Sequence, residues 1–253
     1  MWHPQGRLVG LSPIGDIVVQ DAETFCAGVV ARSPSNTEEF TKWDRIVSVS
    51  VLDETMAYAK VQIALPLALG SPTPTTEPTL YTDLLVLLHD PILGWRVISK
   101  IYSSVPLASE QSPNEGPQAV TPRDFARALK AVWDDYVGAG RACNGQKMAK
   151  VFHPQATLTF ASDQGVIVIG CEAFCSRVAQ RWSMPQHQPF VHLHEQGIAG
   201  SADTILGLEF ADNPNVALAT LRIGFPPVLY TDLLSMLCAN GRWWVVAKSS
   251  CSV

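Results

Sequence analysis

The sequence predicts an α+β protein made of two tandem units whose curved antiparallel sheets pack as an intramolecular pseudo-dimer. Three observations lead there. First, LYTDLLVLLHDPILGWRVISK at residues 80–100 returns as LYTDLLSMLCANGRWWVVAKS at residues 229–249. Second, helical patterns come early in the second unit and long strand patterns come late, an α+β order. Third, the last two strands are apolar on both faces, whereas a half-solvated antiparallel pair alternates apolar with polar. Each face therefore needs a cover. Helices of the same unit suit one face, and the sister sheet suits the other.

The repeat runs over most of the chain. MWHPQGRLVG at residues 1–10 matches VFHPQATLTF at 151–160. Glu23, Phe25 and Cys26 match Glu172, Phe174 and Cys175, while Asp44 and Ile46 match Asp203 and Ile205. Trp95 and Lys100 match Trp243 and Lys248. The first copy carries an insertion, LALGSPTPTTEPT at 67–79, whose prolines and threonines suit an exposed loop. The expected division is residues 1–105 for a first unit, 106–120 for a linker rich in Pro, Gly and polar residues, and 121–253 for a complete second unit.

The second unit opens on helix signals: Thr121 as N-cap, Pro122 in the first turn and Asp124 behind it. Phe125, Leu129, Val132, Trp133 and Tyr136 form a stripe at helical spacing, and Gly138 and Gly140 stop it. A short helix near 146–152 ends before His153-Pro154. Strands are expected at 157–161 and 166–169, a helix from about 171 to 182, and strands at 190–195, 204–210, 216–223, 228–237 and 243–250. The first copy starts at its own His-Pro, so its two leading helices are missing, either lost after duplication or cut from the start of the chain. Asn240-Gly241 is a two-residue hairpin turn. Simple pairing from it sets Asp232 opposite Ser249 and Leu233 opposite Lys248, which places Lys248 on the face away from Asp232.

Composition excludes several classes. With 47% hydrophobic and 16% charged residues the chain can fill a large core. A net charge of −5, without a basic run, argues against nucleic acid. No apolar run reaches the roughly 20 residues of a membrane span, and MWHPQGRLVG is no signal peptide. The cysteines, at 26, 143, 171, 175, 238 and 251, form no CxxC pair and suit free thiols in a reducing cytoplasm. Cys171 and Cys175 share a helix face, but two thiols are too few to define a metal site.

The FHPQATLTF block, and YTDLLSML…GRWWVVAKS with its earlier copy, resemble the lumazine-binding branch of the nuclear transport factor 2-like (SnoaL-like, cystatin-like cone) superfamily. The resemblance covers the second unit fully and the first from its His-Pro onward. It implies a cone-shaped sheet wrapped around helices, an enclosed apolar pocket and dimeric packing. Superfamily enzymes include ketosteroid isomerase, scytalone dehydratase, limonene epoxide hydrolase and polyketide cyclases, while other members only bind, so fold alone does not fix function.

Candidate chemistry centres on Asp232 and Tyr230, twins of Asp83 and Tyr81. A carboxyl among apolar strand residues can serve as acid or base, and a tyrosine beside it can donate to an oxyanion. Presence in both copies also suits a structural tie, to the hairpin or between units, through a lysine. His192 and His194 stand on one strand face and have no counterpart in the first unit; they suit proton transfer, a two-ligand metal claim being incomplete, or a plain strand surface. His153, with its twin His3, suits a helix-end cap or a cavity wall. Trp133, Tyr136, Phe174, Trp182 and Trp243 are core aromatics that would line any cavity. No serine-hydrolase, phosphate-loop or dinucleotide pattern occurs. The expected activity is cofactor-independent isomerisation, dehydration or cyclisation, a Diels–Alder-type closure included, of an apolar secondary-metabolite intermediate. No cofactor, metal, nucleic acid or membrane is expected, and assembly beyond the pseudo-dimer is left open. A non-catalytic binder or a protein-interaction module is the alternative.

Overall fold

A computed structural model describes residues 1–12, 15–30, 43–65, 79–106, 119–162, 164–184, 203–225 and 228–252. The first unit comprises β1 (Trp2–Leu11), β2 (Ile17–Asp21), α1 (Ala22–Val30), β3 (Arg45–Val51), β4 (Met56–Leu65), β5 (Thr79–Asp90) and β6 (Gly94–Pro106). The second begins with α2 (Pro122–Lys130), which runs through a π-helical Ala131–Val137 into α3 (Gly138–Arg141), then α4 (Gly145–Val151). It continues as β7 (Phe152–Ser162), β8 (Gly165–Gly170), α5 (Cys171–Gln180), β9 (Thr204–Phe210), β10 (Val216–Phe225), β11 (Val228–Ala239) and β12 (Arg242–Ser252). The two sheets have the same plan: β2-β1-β6-β5-β4-β3 and β8-β7-β12-β11-β10-β9. In each the first strand lies parallel to the last and every other pairing is antiparallel. Much of the linker and the strand expected at 190–195 lie outside the described residues.

Local chemistry accounts for the element ends. Thr121 accepts from the Asp124 backbone N–H while the Asp124 carboxylate accepts from Thr121, a closed capping box. The helix does not stop at Gly138: it carries on to Arg141, past the stop expected from the two glycines. Asn144 caps α4, its side-chain oxygen accepting from Lys147 N at 2.8 Å. Asn240 and Gly241 both take positive φ, 51° and 75°, as a two-residue hairpin turn requires.

The convex faces of the two sheets share one core. Leu84, Val86, Leu88 and Ile98 of the first unit pack with Leu218, Leu233, Leu237 and Val246 of the second. Polar ties cross the same boundary. Asp212 accepts from Lys60 Nζ at 2.8 Å, Gln62 Nε2 at 2.9 Å and Thr82 Oγ1 at 3.1 Å. Cys251 Sγ donates to Asp53 Oδ2 at 2.6 Å. The apolar outer faces of the final hairpins are therefore covered by the sister unit.

One register differs from simple hairpin counting. Met236 pairs with Val245 but Ser235 pairs with Ala247, so Val246 is an extra residue in β12. The first unit repeats the bulge: Leu87 pairs with Val97 and Val86 with Ser99, leaving Ile98 extra. Both extra residues are buried in the shared core. Beyond the bulge Asp232 lies opposite Ser250 and Leu234 opposite Lys248. Lys248 thus shares the concave face with Asp232, contrary to the face expected from the turn alone.

The concave faces differ between units. In the second, α2–α5 cover it; in the first, α1 alone does so among the described residues. Gly10 pairs across from Tyr102 in the first sheet, where Phe160 pairs across from Ser250 in the second. A large and a small residue have exchanged strands. A Cβ added at Gly10 would run into the Tyr102 ring. Gly10→Ala is expected to destabilise the protein by about 1–3 kcal/mol through overpacking, and Gly10→Ala with Tyr102→Ser to recover most of that, as measured by urea unfolding.

Candidate functional site

A cavity of about 550 Å³ lies between α2–α5 and the concave face of the second sheet. Its apolar wall includes Val137, Met148, Phe160, Phe174 and Ile223. These side chains arrive from separate elements because each points one apolar face inward: Val137 and Met148 from the leading helices, Phe174 from α5, Phe160 and Ile223 from strands. Phe174 meets Phe152 edge-on at 5.7 Å and Phe160 at 6.4 Å, fixing the wall.

A buried polar chain sits in this setting. Asp232 and Lys248 side chains are each 4% exposed, with Lys248 Nζ 2.8 Å from Asp232 Oδ1. Ser250 Oγ donates to the same oxygen at 2.5 Å and receives a hydrogen bond from Lys248 Nζ. Tyr136 OH donates to Asp232 Oδ2 at 2.7 Å. Burial, then the adjacent Asp232 charge and hydrogen bond, hold the Tyr136 phenol well above its ordinary value, so it stays protonated as a donor. Burial pulls the Lys248 ammonium down, and the Asp232 carboxylate opposes that pull. Lys248 also lies 4.9 Å from the Phe160 ring centre and 5.4 Å from that of Phe174.

A second polar group sits at the other end. Arg141 Nε donates to Asp203 Oδ2 at 2.7 Å, and Asp203 Oδ1 accepts from Gly224 N at 2.8 Å. Arg177 and Arg181 also line the cavity. Burial lowers the Arg181 guanidinium, and Tyr136 and Asp232 work against it.

The first unit provides an internal comparison. Lys100 Nζ lies 2.5 Å from Asp83 Oδ2, the same diagonal ion pair, with both side chains buried. Asp83 Oδ1 has no hydrogen-bond partner among the described residues, and burial raises this carboxyl while Lys100 opposes. The counterpart of Ser250 is Tyr102, and no described helix stands where Tyr136 does. Among the described residues Asp44 has the backbone clasp, accepting from Ala64 N at 3.1 Å as Asp203 does from Gly224 N. The Asp–Lys pair and the Asp clasp are therefore common to both units. Tyr136 and Arg141 have no counterpart among the described residues of the first unit, and Tyr102 stands there in place of Ser250.

Of the residues singled out in the sequence, Asp232, Tyr230, Tyr136 and Phe174 meet at the cavity. The tyrosine whose hydroxyl donates to Asp232 is Tyr136, from α2's π-helical continuation. His192, His194 and the Trp182 side chain lie outside the described residues. His153 stands elsewhere: its Nδ1 accepts from Gln155 N at 3.3 Å and its ring meets Trp244 at 5.9 Å. His3 makes the matching bond to Gln5 N at 3.2 Å, so the two histidines hold the same turn. Trp133 is 37% exposed and carries the Arg141 guanidinium at 4.6 Å over its outer ring face. Trp243 packs against Phe210 at 6.3 Å, outside the cavity lining. Sequence reading missed Lys248, Arg141, Arg177, Arg181, Asp203 and Ser250. The signal for Lys248 was its twin Lys100, present wherever the Asp recurs.

Residues 124–249 match the family model described as "Putative lumazine-binding". Among curated proteins none matches the chain. Among solved structures, an NTF-2 like protein of unknown function from Silicibacter pomeroyi is 15% identical, covering 53% of this chain and 100% of its own, with a TM-score of 0.41. An NTF2-like protein of unknown function from Methylobacillus flagellatus is 18% identical, covering 53% and 95%, with a TM-score of 0.37. A protein of unknown function with a cystatin-like fold from Nostoc punctiforme is 10% identical, covering 54% and 96%, with a TM-score of 0.38. No helix among the described residues is long and apolar enough to cross a membrane.

Proposed function

We propose, for a chain that belongs to the nuclear transport factor 2-like (SnoaL-like) superfamily, that the second unit binds a small, largely apolar metabolite and converts it without a cofactor. Isomerisation, dehydration or cyclisation is the reaction class. The observation that carries this reading is the Tyr136–Asp232–Lys248 chain buried beside a cavity of about 550 Å³. In such a site Tyr136 and Lys248 are the donors toward a ligand oxygen that gains negative charge. Asp232 holds both donors in place. It takes a ligand proton when Tyr136 turns its hydroxyl from the carboxylate to the ligand oxygen. The apolar wall excludes water and strengthens each of these interactions. Free thiols at all six cysteines suit a reducing cytoplasmic setting.

A second reading, a non-catalytic binder of the same ligand, draws on one observation. The Asp83–Lys100 pair persists in the first unit, where Tyr102 takes the place of Ser250. The two readings separate in heavy water. A ligand retained by the purified protein, identified by mass spectrometry, is expected to gain solvent deuterium on incubation with wild type. Tyr136→Phe and Asp232→Asn are expected to slow that gain by about 100-fold or more, the scale of a general acid–base contribution. Uptake at equal rates in all three proteins would remove the catalytic reading; absence of uptake with retained binding would favour the binder.

A further inference from the structure

We propose that the ligand of the second-unit cavity is an aldehyde or ketone on an apolar body, captured by Lys248 as a Schiff base; this rests on the cavity being a ligand site. Lys248 comes from β12 and lines the cavity with Tyr136, Asp232 and Ser250. An ammonium has three donor positions. Asp232 Oδ1, at 2.8 Å, and Ser250 Oγ take two of them. The third has no hydrogen-bond acceptor among the described residues. The nitrogen stands 4.9 Å and 5.4 Å from the ring centres of Phe160 and Phe174, two walls of the cavity. Burial draws the Lys248 ammonium below its ordinary value; Asp232 and Cys251 oppose that pull, and Arg181 adds to it. A desolvated lysine of this kind is a nucleophile toward carbonyl carbon.

Atoms and charge balance within the site. Lys248 passes one proton to Asp232, and its nitrogen pair adds to the carbonyl carbon as the C=O π pair moves onto oxygen. The nitrogen gives that oxygen a second proton, with Tyr136 turned to donate a hydrogen bond to it. Asp232 then returns the first proton, water leaves, and the nitrogen pair closes the C=N bond. An ammonium beside a carboxylate becomes an iminium beside a carboxylate, so the buried pair starts and ends charge-balanced. The iminium draws electrons from the neighbouring carbon and eases loss of its proton, which serves isomerisation, dehydration and cyclisation alike. The first unit is the internal control. Lys100 keeps its carboxylate partner Asp83, but Tyr102 stands in place of Ser250, with its ring centre 5.7 Å from the Lys100 nitrogen.

Two compounds with one aromatic body test this on the full chain. 2-Naphthaldehyde is given with sodium cyanoborohydride, which reduces an iminium to a stable secondary amine; 2-naphthalenemethanol lacks the carbonyl. With equimolar aldehyde, peptide mapping by mass spectrometry is expected to find Lys248 alkylated about tenfold or more above any other lysine, Lys100 included. Lys248→Met is expected to lose the adduct, and the map of the wild-type chain decides the same point should that variant fail to fold. Phe160→Gly with Ser250→Tyr, which brings the first unit's filling into the second, is expected to block both the alkylation and binding of the alcohol. Alcohol binding that this double variant blocks, without preferential alkylation of Lys248, would overturn the Schiff base and leave the ligand cavity standing. Alkylation of Lys248 that the double variant leaves intact would overturn capture within the cavity. Failure of both compounds to bind, or alcohol binding indifferent to the double variant, would overturn the Schiff base and the ligand site together.

Discussion

Asp232→Ala is expected to destabilise the protein by about 3–5 kcal/mol, the cost of leaving one member of a buried ion pair without its partner. The side chains of Asp232 and Lys248 are both 4% exposed. Removing the carboxylate strands the Lys248 ammonium and deprives the Tyr136 and Ser250 hydroxyls of their acceptor. Replacing both charges, as Asp232→Leu with Lys248→Met, is expected to restore most of the loss, because well-packed apolar residues can match a buried pair. Denaturant unfolding of Asp232→Leu, Lys248→Met and the double gives the coupling directly. A single-variant loss below about 1 kcal/mol would mean that water reaches this pair and that its environment is not the dry one described. Asp83→Ala in the first unit offers a parallel measurement. Asp83 has one described partner where Asp232 has three, so the smaller loss is expected there.

The second large effect concerns the cavity itself. Phe160→Gly with Ser250→Tyr transplants the Gly10–Tyr102 arrangement of the first sheet into the second. Ligand binding is expected to fall at least about 100-fold, equivalent to about 2.7 kcal/mol, while the circular dichroism spectrum stays that of wild type. The converse change, Tyr102→Ser, is not expected to create binding in the first unit, which has no described counterpart of Tyr136 or Arg141. Retention of full ligand affinity by the double variant would show that the ligand binds elsewhere.

The architecture was legible because duplication wrote each signal twice. Matching His-Pro, Glu-x-Phe-Cys and Tyr-Thr-Asp blocks located corresponding elements, and apolar alternation on both faces of the final hairpin called for a sister sheet. The site was less legible. Turn counting from Asn240-Gly241 held as far as Met236 and Val245, and then the Val246 bulge reversed the facing of everything beyond it. A single unpaired residue moved Lys248 next to Asp232, and nothing in the local alternation of Trp, Val and Lys announces such a bulge. Arg141, Arg177 and Arg181 read as ordinary helix-surface residues. They reach the cavity because α3, α5 and the 3-10 turn that follows α5 border it, which is tertiary information. Tyr136 was visible as a core aromatic, but its bond to Asp232 joins residues far apart in sequence.

Joining two copies on one chain has an evolutionary consequence. In a homodimer encoded by one gene, any substitution appears on both partners, so a change that fills one hollow fills the other. Covalent fusion releases that constraint. One half here has kept the sheet, the bulge and the balanced ion pair, and has lodged Tyr102 where its sister has open space. Its described residues supply the surface against which the partner folds, so the partner can change its hollow without losing that support.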